Sequence, residues 1–170
     1  MEDTYSVQET LISAFLFITY LIGTYLVLKK VGFKSLKSLI PIYGDYLLFR
    51  EFQDKTTARK YLKIFIIAMA FLFIGTAVLL YADYDYFNYM YDETVPVSLI
   101  IIMCIGLAMI ILFIVFYIRT FIMIVRRNYV ISLRFQKGAL MTVLMAFIPG
   151  PVLIYYALTQ ETIAKEKTIF

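Results

Sequence analysis

Long runs of apolar residues constrain this chain more than any other feature of its sequence. Four such runs occupy residues 10–28, 61–81, 97–118 and 139–158, and none has a charge near its centre. A helix needs about 20 apolar residues to cross the hydrocarbon core of a bilayer. Hydrophobic residues make up 62% of the chain and charged residues 16%, against roughly 25% charged residues in soluble domains. The pattern predicts an all-α fold, an integral membrane four-helix bundle forming a single transmembrane domain over residues 1–170.

The charges between the runs orient the predicted spans. Basic residues collect in the two connecting segments that follow the first and third runs: Lys29, Lys30, Lys34, Lys37, Arg50, Lys55, Arg59, Lys60, Lys63, Arg126, Arg127, Arg134 and Lys137. Cytoplasmic loops of membrane proteins retain Lys and Arg because short positive segments resist translocation. We therefore expect both basic segments inside and the N-terminus outside. Four lysines, Lys29, Lys30, Lys34 and Lys37, are predicted to contact anionic lipid headgroups of the inner leaflet.

The fourth run is interrupted by Pro149, Gly150 and Pro151. A proline within a helix removes a backbone donor and clashes with a preceding carbonyl. We predict a proline-broken last span that is kinked but crosses the membrane; a re-entrant hairpin, which would return the C-terminus to the inside, is the alternative. An Ile-Pro pair occurs in each half of the chain, at Ile40-Pro41 and Ile148-Pro149, and indicates either an old duplication or chance.

The stretch between the first two spans, residues 33–52, is too short and too charged for a span. Its first part has an apolar and a basic face at helical spacing: Phe33, Leu36 and Ile40 on one, Lys34 and Lys37 on the other. This is typical of an amphipathic segment on the inner membrane surface. After Pro41 the chain restarts as an interfacial or re-entrant helix, with Tyr43 at headgroup depth.

Asp45 is the strongest candidate for a polar functional residue. It lies in an apolar stretch, and three large side chains share its helical face: Leu48, Phe49 and Phe52. A buried carboxylate requires a hydrogen-bond donor or a proton. The simpler interpretation is that Asp45 caps the helix after Pro41. Arg119, at the inner boundary of the third run, is expected to reach lipid headgroups, with an ion pair to Asp45 as the alternative.

The predicted outer loop alternates acids with tyrosines. Its candidate partner-binding residues are Tyr84, Asp85, Tyr86, Tyr89 and Tyr91. Acidic and aromatic side chains together suit a cationic peptide or the surface of another protein. The chain has no tryptophan, so these tyrosines are equally suited to anchoring the helices at the membrane interface.

Few residues in the chain are suited to catalysis. Histidine is absent and the one cysteine, Cys104, lies in an apolar run. The commonest general base and metal ligand is therefore missing. A serine and lysine pair, such as Ser35 with Lys34, would lie at the aqueous interface, where nothing lowers the pKa of the lysine. We expect no enzyme activity, no cofactor, no metal and no nucleic acid partner.

The stretch LKKVGFKSLKSLIPIYGDYLLFREF, residues 28–52, resembles the DUF5684-type family of small bacterial membrane proteins. The family signature is a basic stretch, then IPIYN and an aromatic, apolar helix. The residues that match it are Ile40, Pro41, Ile42, Tyr43, Tyr46, Leu48 and Phe49, and a second similar element comprises Phe135, Lys137, Gly138 and residues 149–158. Gly44 stands where the family usually has asparagine. The resemblance implies a bacterial cytoplasmic-membrane protein, without an established activity.

These observations predict a non-enzymatic membrane protein that serves as a subunit or accessory of a larger membrane assembly, for example a peptide exporter or an immunity system. Its expected partners are membrane lipids and other membrane subunits. The alternative is a small oligomeric channel or transporter, with Asp45, Arg119 and the break from Pro149 to Pro151 lining a path. A membrane hydrolase is the third and weakest possibility.

Overall fold

The computed structural model describes the backbone of residues 2–33, 35–89, 96–135 and 139–159, and the side chains of residues 7–33, 35–84, 96–135 and 139–158. The helices in these residues are α1 (Glu2–Lys30), α2 (Pro41–Phe52), α3 (Lys55–Tyr89), α4 (Val97–Arg134), α5 (Ala139–Phe147) and α6 (Pro149–Thr159). A single 3₁₀ turn, Leu36–Leu39, precedes α2. The predicted all-α fold is confirmed.

Within the described ranges, three helices are long and apolar enough to cross a membrane. They cover Val7–Lys30, Lys55–Tyr84 and Val97–Arg134, and they mark the chain as a membrane protein. Each extends beyond the corresponding predicted span, because lysine and arginine are good helix formers and do not end a helix. The third predicted span ended at residue 118, whereas α4 continues through Arg119 to Arg134.

The chain forms two compact units. The first comprises Met1–Tyr61 and Met123–Phe170, and the second comprises Leu62–Ile122. The first unit contains α1, α2, α5 and α6, together with the first turns of α3 and the last turns of α4. The second contains the remainder of α3 and α4. The four shorter or N-terminal helices therefore all pack within the first unit.

Residues 139–158, predicted as a kinked fourth span, form two short helices instead. The helices α5 and α6 have 9 and 11 residues. At 1.5 Å per residue they are about 14 and 17 Å long, half of the roughly 30 Å hydrocarbon core. Pro149 cannot donate a backbone hydrogen bond and disfavours a helical conformation at Ile148. The helix therefore breaks at this position.

The contacts of α6 show that it runs parallel to α1. Near its start, Gly150 packs directly on the backbone of α1 at Thr19 and Tyr20. Near its end, the carbonyl oxygens of Tyr156 and Ala157 accept hydrogen bonds from the Nζ of Lys30, the last residue of α1, at 3.3 and 3.2 Å. The helix α6 thus returns to the end of the unit where α1 ends.

The helix α5 runs the opposite way. It begins shortly after α4 ends, and the carbonyl oxygen of Met145 accepts a hydrogen bond from Asn128 Nδ2 at 3.4 Å. In α6, by contrast, the Tyr156 hydroxyl contacts the Ser132 hydroxyl at 2.9 Å, and its ring stacks on Phe135 at 4.9 Å. The helices α5 and α6 therefore form a hairpin that turns at Ile148. The four-span bundle is not confirmed, and the hairpin favours the re-entrant alternative over the kinked full span.

The helix α2 also runs parallel to α1, as α6 does. The chain turns after α1 at Gly32, which has a φ of 96° that favours glycine. It then passes through the 3₁₀ turn and begins α2 at Pro41. Asp45, in the second turn of α2, accepts a hydrogen bond from Tyr20 of α1, and the ring of Phe52, the last residue of α2, lies 6.4 Å from the ring of Phe135 just after α4. We call α2 and α6, which both begin at a proline and run parallel to α1, the half-helices.

The helix α2 lies in the stretch predicted as interfacial or re-entrant, and it is largely buried. Four of its large apolar side chains are at most 2% exposed: Leu47, Leu48, Phe49 and Phe52. Before α2, Leu36 and Ile40 are 71% and 56% exposed while Ser38 is buried. The expected apolar helical face does not form there, because residues 36–39 make only one 3₁₀ turn.

The helices α1, α2, α4 and α6 all end at the same side of this unit. Basic side chains lie there, and we call it the basic end. Arg134 Nη1 donates to the carbonyl oxygen of Glu51 in the last turn of α2 at 2.9 Å, and its guanidinium lies 5.0 Å from the Phe52 ring. Lys30 likewise donates hydrogen bonds to carbonyl oxygens near the end of α6. Cations at helix C-termini satisfy the last carbonyls and the helix dipole.

Candidate functional site

The polar centre of the first unit is an ion pair between Asp45 of α2 and Arg127 of α4. The two side chains are 17% and 3% exposed. Asp45 lies in the second turn of α2, whose N-cap is Ile40, and that cap has no side-chain hydrogen bond. Asp45 therefore does not cap the helix, and its carboxylate points to the neighbouring helices instead.

Two tyrosines complete the surroundings of the carboxylate. The Tyr20 hydroxyl of α1 donates to Asp45 Oδ1, which also accepts from Arg127 Nη1, and the Tyr61 hydroxyl of α3 donates to Oδ2 at 3.2 Å. The carboxylate thus receives donors from α1, α3 and α4. One acidic side chain links α2 to all three candidate spans.

Arg127 is held on its other side by neutral groups. Its Nε and Nη2 donate to Asn128 Oδ1 at 3.2 and 3.1 Å, and Asn128 Nδ2 reaches Met145 of α5. The guanidinium lies 5.0 Å from the ring centre of Phe49, which stacks on the Tyr61 ring at 4.4 Å. The network therefore extends from α2 through α4 to α5.

The ion pair lies before the ends of α1 and α4. Tyr20 precedes Lys30 by ten residues and Arg127 precedes Arg134 by seven. At 1.5 Å per residue, the hydroxyl and guanidinium donors originate about 15 and 10 Å from the basic end. Buried charges are costly unless they are paired. Here the partners of the Asp45 carboxylate are Arg127 and the two hydroxyls.

Arg127 is the functional candidate that sequence reasoning missed, because both Arg126 and Arg127 were assigned to membrane orientation. A signal was present in the spacing: Arg127, Ile131 and Phe135 recur every four residues and share a helical face, and Asn128 adjoins it. Arg126 lies on another face and is exposed. Arg119 is also exposed, and the alternative that paired it with Asp45 is not found, because Asp45 pairs with Arg127 instead.

The remaining predicted residues of α2 and α6 lie outside this network. Tyr43 is half-buried and stacks on Tyr46 at 5.9 Å. Pro41 and Pro149 begin the half-helices, and Pro151 lies half-buried in the first turn of α6. Their contribution is to place the helix starts, because proline suits the first turn of a helix.

The predicted lipid-contacting lysines differ in their positions. Lys29 and Lys37 are exposed, whereas Lys30 is half-buried against the end of α6. Lys34 lies outside the described residues. In the predicted outer loop, Tyr84 is 70% exposed. Asp85, Tyr86 and Tyr89 have helical backbone within α3 but their side chains lie outside the described ranges, as does all of Tyr91. The first part of that loop is therefore helical.

Across the described residues, no group of three or more acidic or cysteine side chains could hold a metal ion. Comparison with family models, with curated proteins and with solved structures finds no match to the chain. The resemblance drawn from residues 28–52 therefore stays a prediction. The chemistry of the site lies in its own arrangement, a carboxylate and a guanidinium paired in the interior of the first unit, with two hydroxyl groups that donate to the carboxylate.

Proposed function

We propose that this chain is a small non-enzymatic membrane protein of the channel or transporter class, and that its path passes the Asp45–Arg127 pair. The observation that carries the proposal is this ion pair, enclosed among three candidate spans and a half-helix. Ionisable residues within a membrane are rare and mark substrate paths, ion paths and proton relays. If position 45 required only an uncharged polar side chain, asparagine would be less costly there than aspartate.

The half-helices support the same class. Membrane transport proteins place their sites beside short or broken helices that occupy corresponding positions in the two halves of the chain. Here α2 and α6 begin at Ile40-Pro41 and Ile148-Pro149, each follows a candidate span, and both run parallel to α1. Their correspondence favours the duplication interpretation of the two Ile-Pro pairs.

The described arrangement corresponds to a closed path. Asp45 accepts from Arg127, Tyr20 and Tyr61, and Arg127 is held by Asn128. Passage of a solute would require this pair to separate, which would offer the solute one carboxylate and one guanidinium. Opening would also loosen α2 from α4, since the pair joins them.

The distribution of charge supports an orientation for this function. Because basic segments remain in the cytoplasm, the basic end would face the inside and the N-terminus the outside. Both half-helices would then end at the cytoplasmic side, and the C-terminal tail would lie inside. The resemblance of residues 28–52 supports a bacterial cytoplasmic membrane.

Flux measurements test the proposal. Purified protein is reconstituted in liposomes, and potassium, chloride and proton fluxes are measured against protein-free liposomes. We expect flux of at least one ion, and a change of tenfold or more in Asp45→Asn and Arg127→Gln. Arg126→Gln is the matched control, because Arg126 is adjacent in the chain but exposed. Identical flux in Asp45→Asn, Arg127→Gln and the unmodified protein would refute a path at this site.

A second candidate is the accessory subunit of a larger membrane assembly, and the first half of α1 favours it. Between Val7 and Ile18 its large apolar side chains are exposed on nearly all sides: Leu11 63%, Ile12 59%, Phe15 62%, Phe17 51% and Ile18 55%. Helices of other subunits could cover this surface. The test is purification in mild detergent, where a monodisperse monomer without a stoichiometric partner would count against this function.

A further inference from the structure

The second unit is organised by a close approach of α3 and α4 at two glycines. A Cβ atom on Gly106 would lie 2.7 Å from the side chain of Leu79, and one on Gly75 would lie 3.0 Å from the Cβ of Met109. Glycine permits membrane helices to approach this closely. One further contact, between the Phe71 and Phe116 rings at 5.7 Å, lies on the Lys55 side of the glycines along α3.

On the other side of the glycines, toward the end of α3, the helices border a cavity of about 510 Å³ that is open to the surroundings. Four residues of α3 and one of α4 line it: Thr76, Leu79, Leu80, Asp83 and Met103. Cavities that hold small molecules measure roughly 300–1,000 Å³ and are mainly apolar, with a few polar groups that orient the ligand. This cavity has both properties, and Asp83 is the one charged residue among the described residues that line it.

The two ends of the cavity differ in polarity. Asp83 is exposed and follows the apolar run of residues 61–81 in α3. Thr76 precedes Asp83 by seven residues and is about 10 Å further into the span. A ligand would therefore have its polar end beside Asp83 at the membrane boundary and its apolar part between the helices.

We propose that this cavity binds a lipophilic cation, an apolar body of small-molecule size that carries one positive charge. The carboxylate of Asp83 would pair with the charge, and the leucine and methionine side chains would cover the apolar part. An anion of the same shape would be repelled by Asp83. A small hydrophilic cation would lose its hydration in the apolar cavity without compensation. The inference is independent of the path at Asp45.

Tetraphenylphosphonium is a suitable probe, and tetraphenylborate has the same shape with the opposite charge. Binding is measured by equilibrium dialysis with the full chain in nanodiscs of phosphatidylcholine, and the saturable part is taken after subtraction of protein-free nanodiscs. We expect saturable binding of the cation at least tenfold tighter than that of the anion. Equal binding of the two probes, or no saturable cation binding, would overturn the proposal.

Variants locate the binding. Asp83→Asn is expected to weaken cation binding at least tenfold, and Met103→Trp, which fills the cavity, to abolish it. The control is Glu9→Gln, an exposed acid on α1 in the other unit, and it should leave binding unchanged. Unchanged cation binding in both cavity variants would overturn the site. If purified protein retains phospholipid there that the cation cannot displace, the cavity is a lipid site and the proposal is wrong.

Discussion

Asp45 and Arg127 are 82 residues apart in the chain and form an ion pair at the centre of the first unit, where Arg127 is 3% exposed. The pair joins the half-helix α2 to the third candidate span. Because each buried charge needs the other, the two segments cannot separate without a cost in free energy. The pair therefore stabilises the packing of α2 on α4, and opening the unit there would require the pair to separate.

Removal of either charge should destabilise the protein strongly. We expect Arg127→Gln to lower the free energy of unfolding by about 3–5 kcal/mol, because it leaves Asp45 buried without its cation. Arg126→Gln, at an exposed position, should change it by less than about 0.5 kcal/mol. Denaturant unfolding in mild detergent measures both. Equal effects of the two variants would contradict the burial difference.

Removal of both charges separates stability from function. An ion pair replaced by apolar residues of similar size is often neutral or stabilising. Asp45→Leu/Arg127→Met should therefore be more stable than either single variant, within roughly 1–2 kcal/mol of the unmodified protein, yet have no ion flux. A double variant with full flux would show that the pair is structural only.

The packing of α6 on α1 should not tolerate a side chain at Gly150. A Cβ atom there would lie 2.5 Å from the Thr19 hydroxyl oxygen and from the backbone nitrogen of Tyr20. We expect Gly150→Ala to destabilise by about 1–3 kcal/mol through overpacking. The control is Ala14→Leu, a larger addition at an exposed position of α1. Thermal unfolding of Gly150→Ala at the unmodified temperature would contradict the close contact.

Lys30 and Lys29 provide a matched pair for the end of α6. Only Lys30 donates to the carbonyls of Tyr156 and Ala157, whereas Lys29 is exposed beside the Tyr25 ring at 5.9 Å. Lys30→Met should cost about 1 kcal/mol, since a cation at a helix C-terminus contributes roughly 0.3–2 kcal/mol. Lys29→Met should cost less. The order of the two melting temperatures is the measurement, and the reverse order would contradict the assignment.

The hairpin of α5 and α6 predicts the location of the C-terminal tail. Because α6 returns to the basic end, a single cysteine at Thr168, in a Cys104→Ser background, should be protected from a membrane-impermeant maleimide in intact cells. It should react after permeabilisation. A cysteine at Glu9 is the control and should react in intact cells. Labelling of Thr168→Cys in intact cells would show that residues 139–158 cross the membrane.

Asp54 makes a pH-dependent contribution at the start of α3. The Thr57 hydroxyl donates to it at 2.5 Å and the Thr57 backbone N–H at 2.7 Å, and these bonds hold the pKa of Asp54 below its usual range. The pKa of Asp54 is therefore higher in the unfolded chain than in the folded chain. Its contribution to stability is present above the unfolded pKa of about 3.9 and is lost as the pH falls through the folded pKa.

This pH dependence can be measured with two variants. At about pH 6, Asp54→Ala should lower the unfolding free energy by about 1 kcal/mol through loss of the helix cap. The difference should shrink as the pH is lowered toward 2. Asp54→Asn keeps an uncharged cap and should respond less to pH than the unmodified chain. A constant difference between Asp54→Ala and the unmodified protein at all pH values would contradict the mechanism.

Part of the candidate site could be predicted from local sequence. Asp45 is an acid in an apolar stretch, and that alone required a donor for it. Its donors could not be identified, because Tyr20, Tyr61 and Arg127 come from three helices and their proximity depends on how those helices pack. Arg127 was also obscured by Arg126, since two adjacent arginines at the end of a span have the composition of an orientation signal.

The turn of the last hairpin shows the same limit. Pro149 and Pro151 indicated a break in the helix, which the structure has at Ile148. The break alone does not determine whether the chain continues or turns back. The contacts of Gly150 with α1 and of Tyr156 with Ser132 show that it turns back. Neither contact has a local signature, because each joins residues far apart in the chain.

The sequence by itself determined that this is an all-α membrane protein, where its apolar helices lie and where they break, since hydropathy and the missing N–H of proline act within a few residues. Only the tertiary structure decided that residues 139–158 turn back and that Asp45 pairs with Arg127. These outcomes depend on close packing between α1, α2, α4 and α6, and a buried charge is paired with whichever donor that packing brings to it.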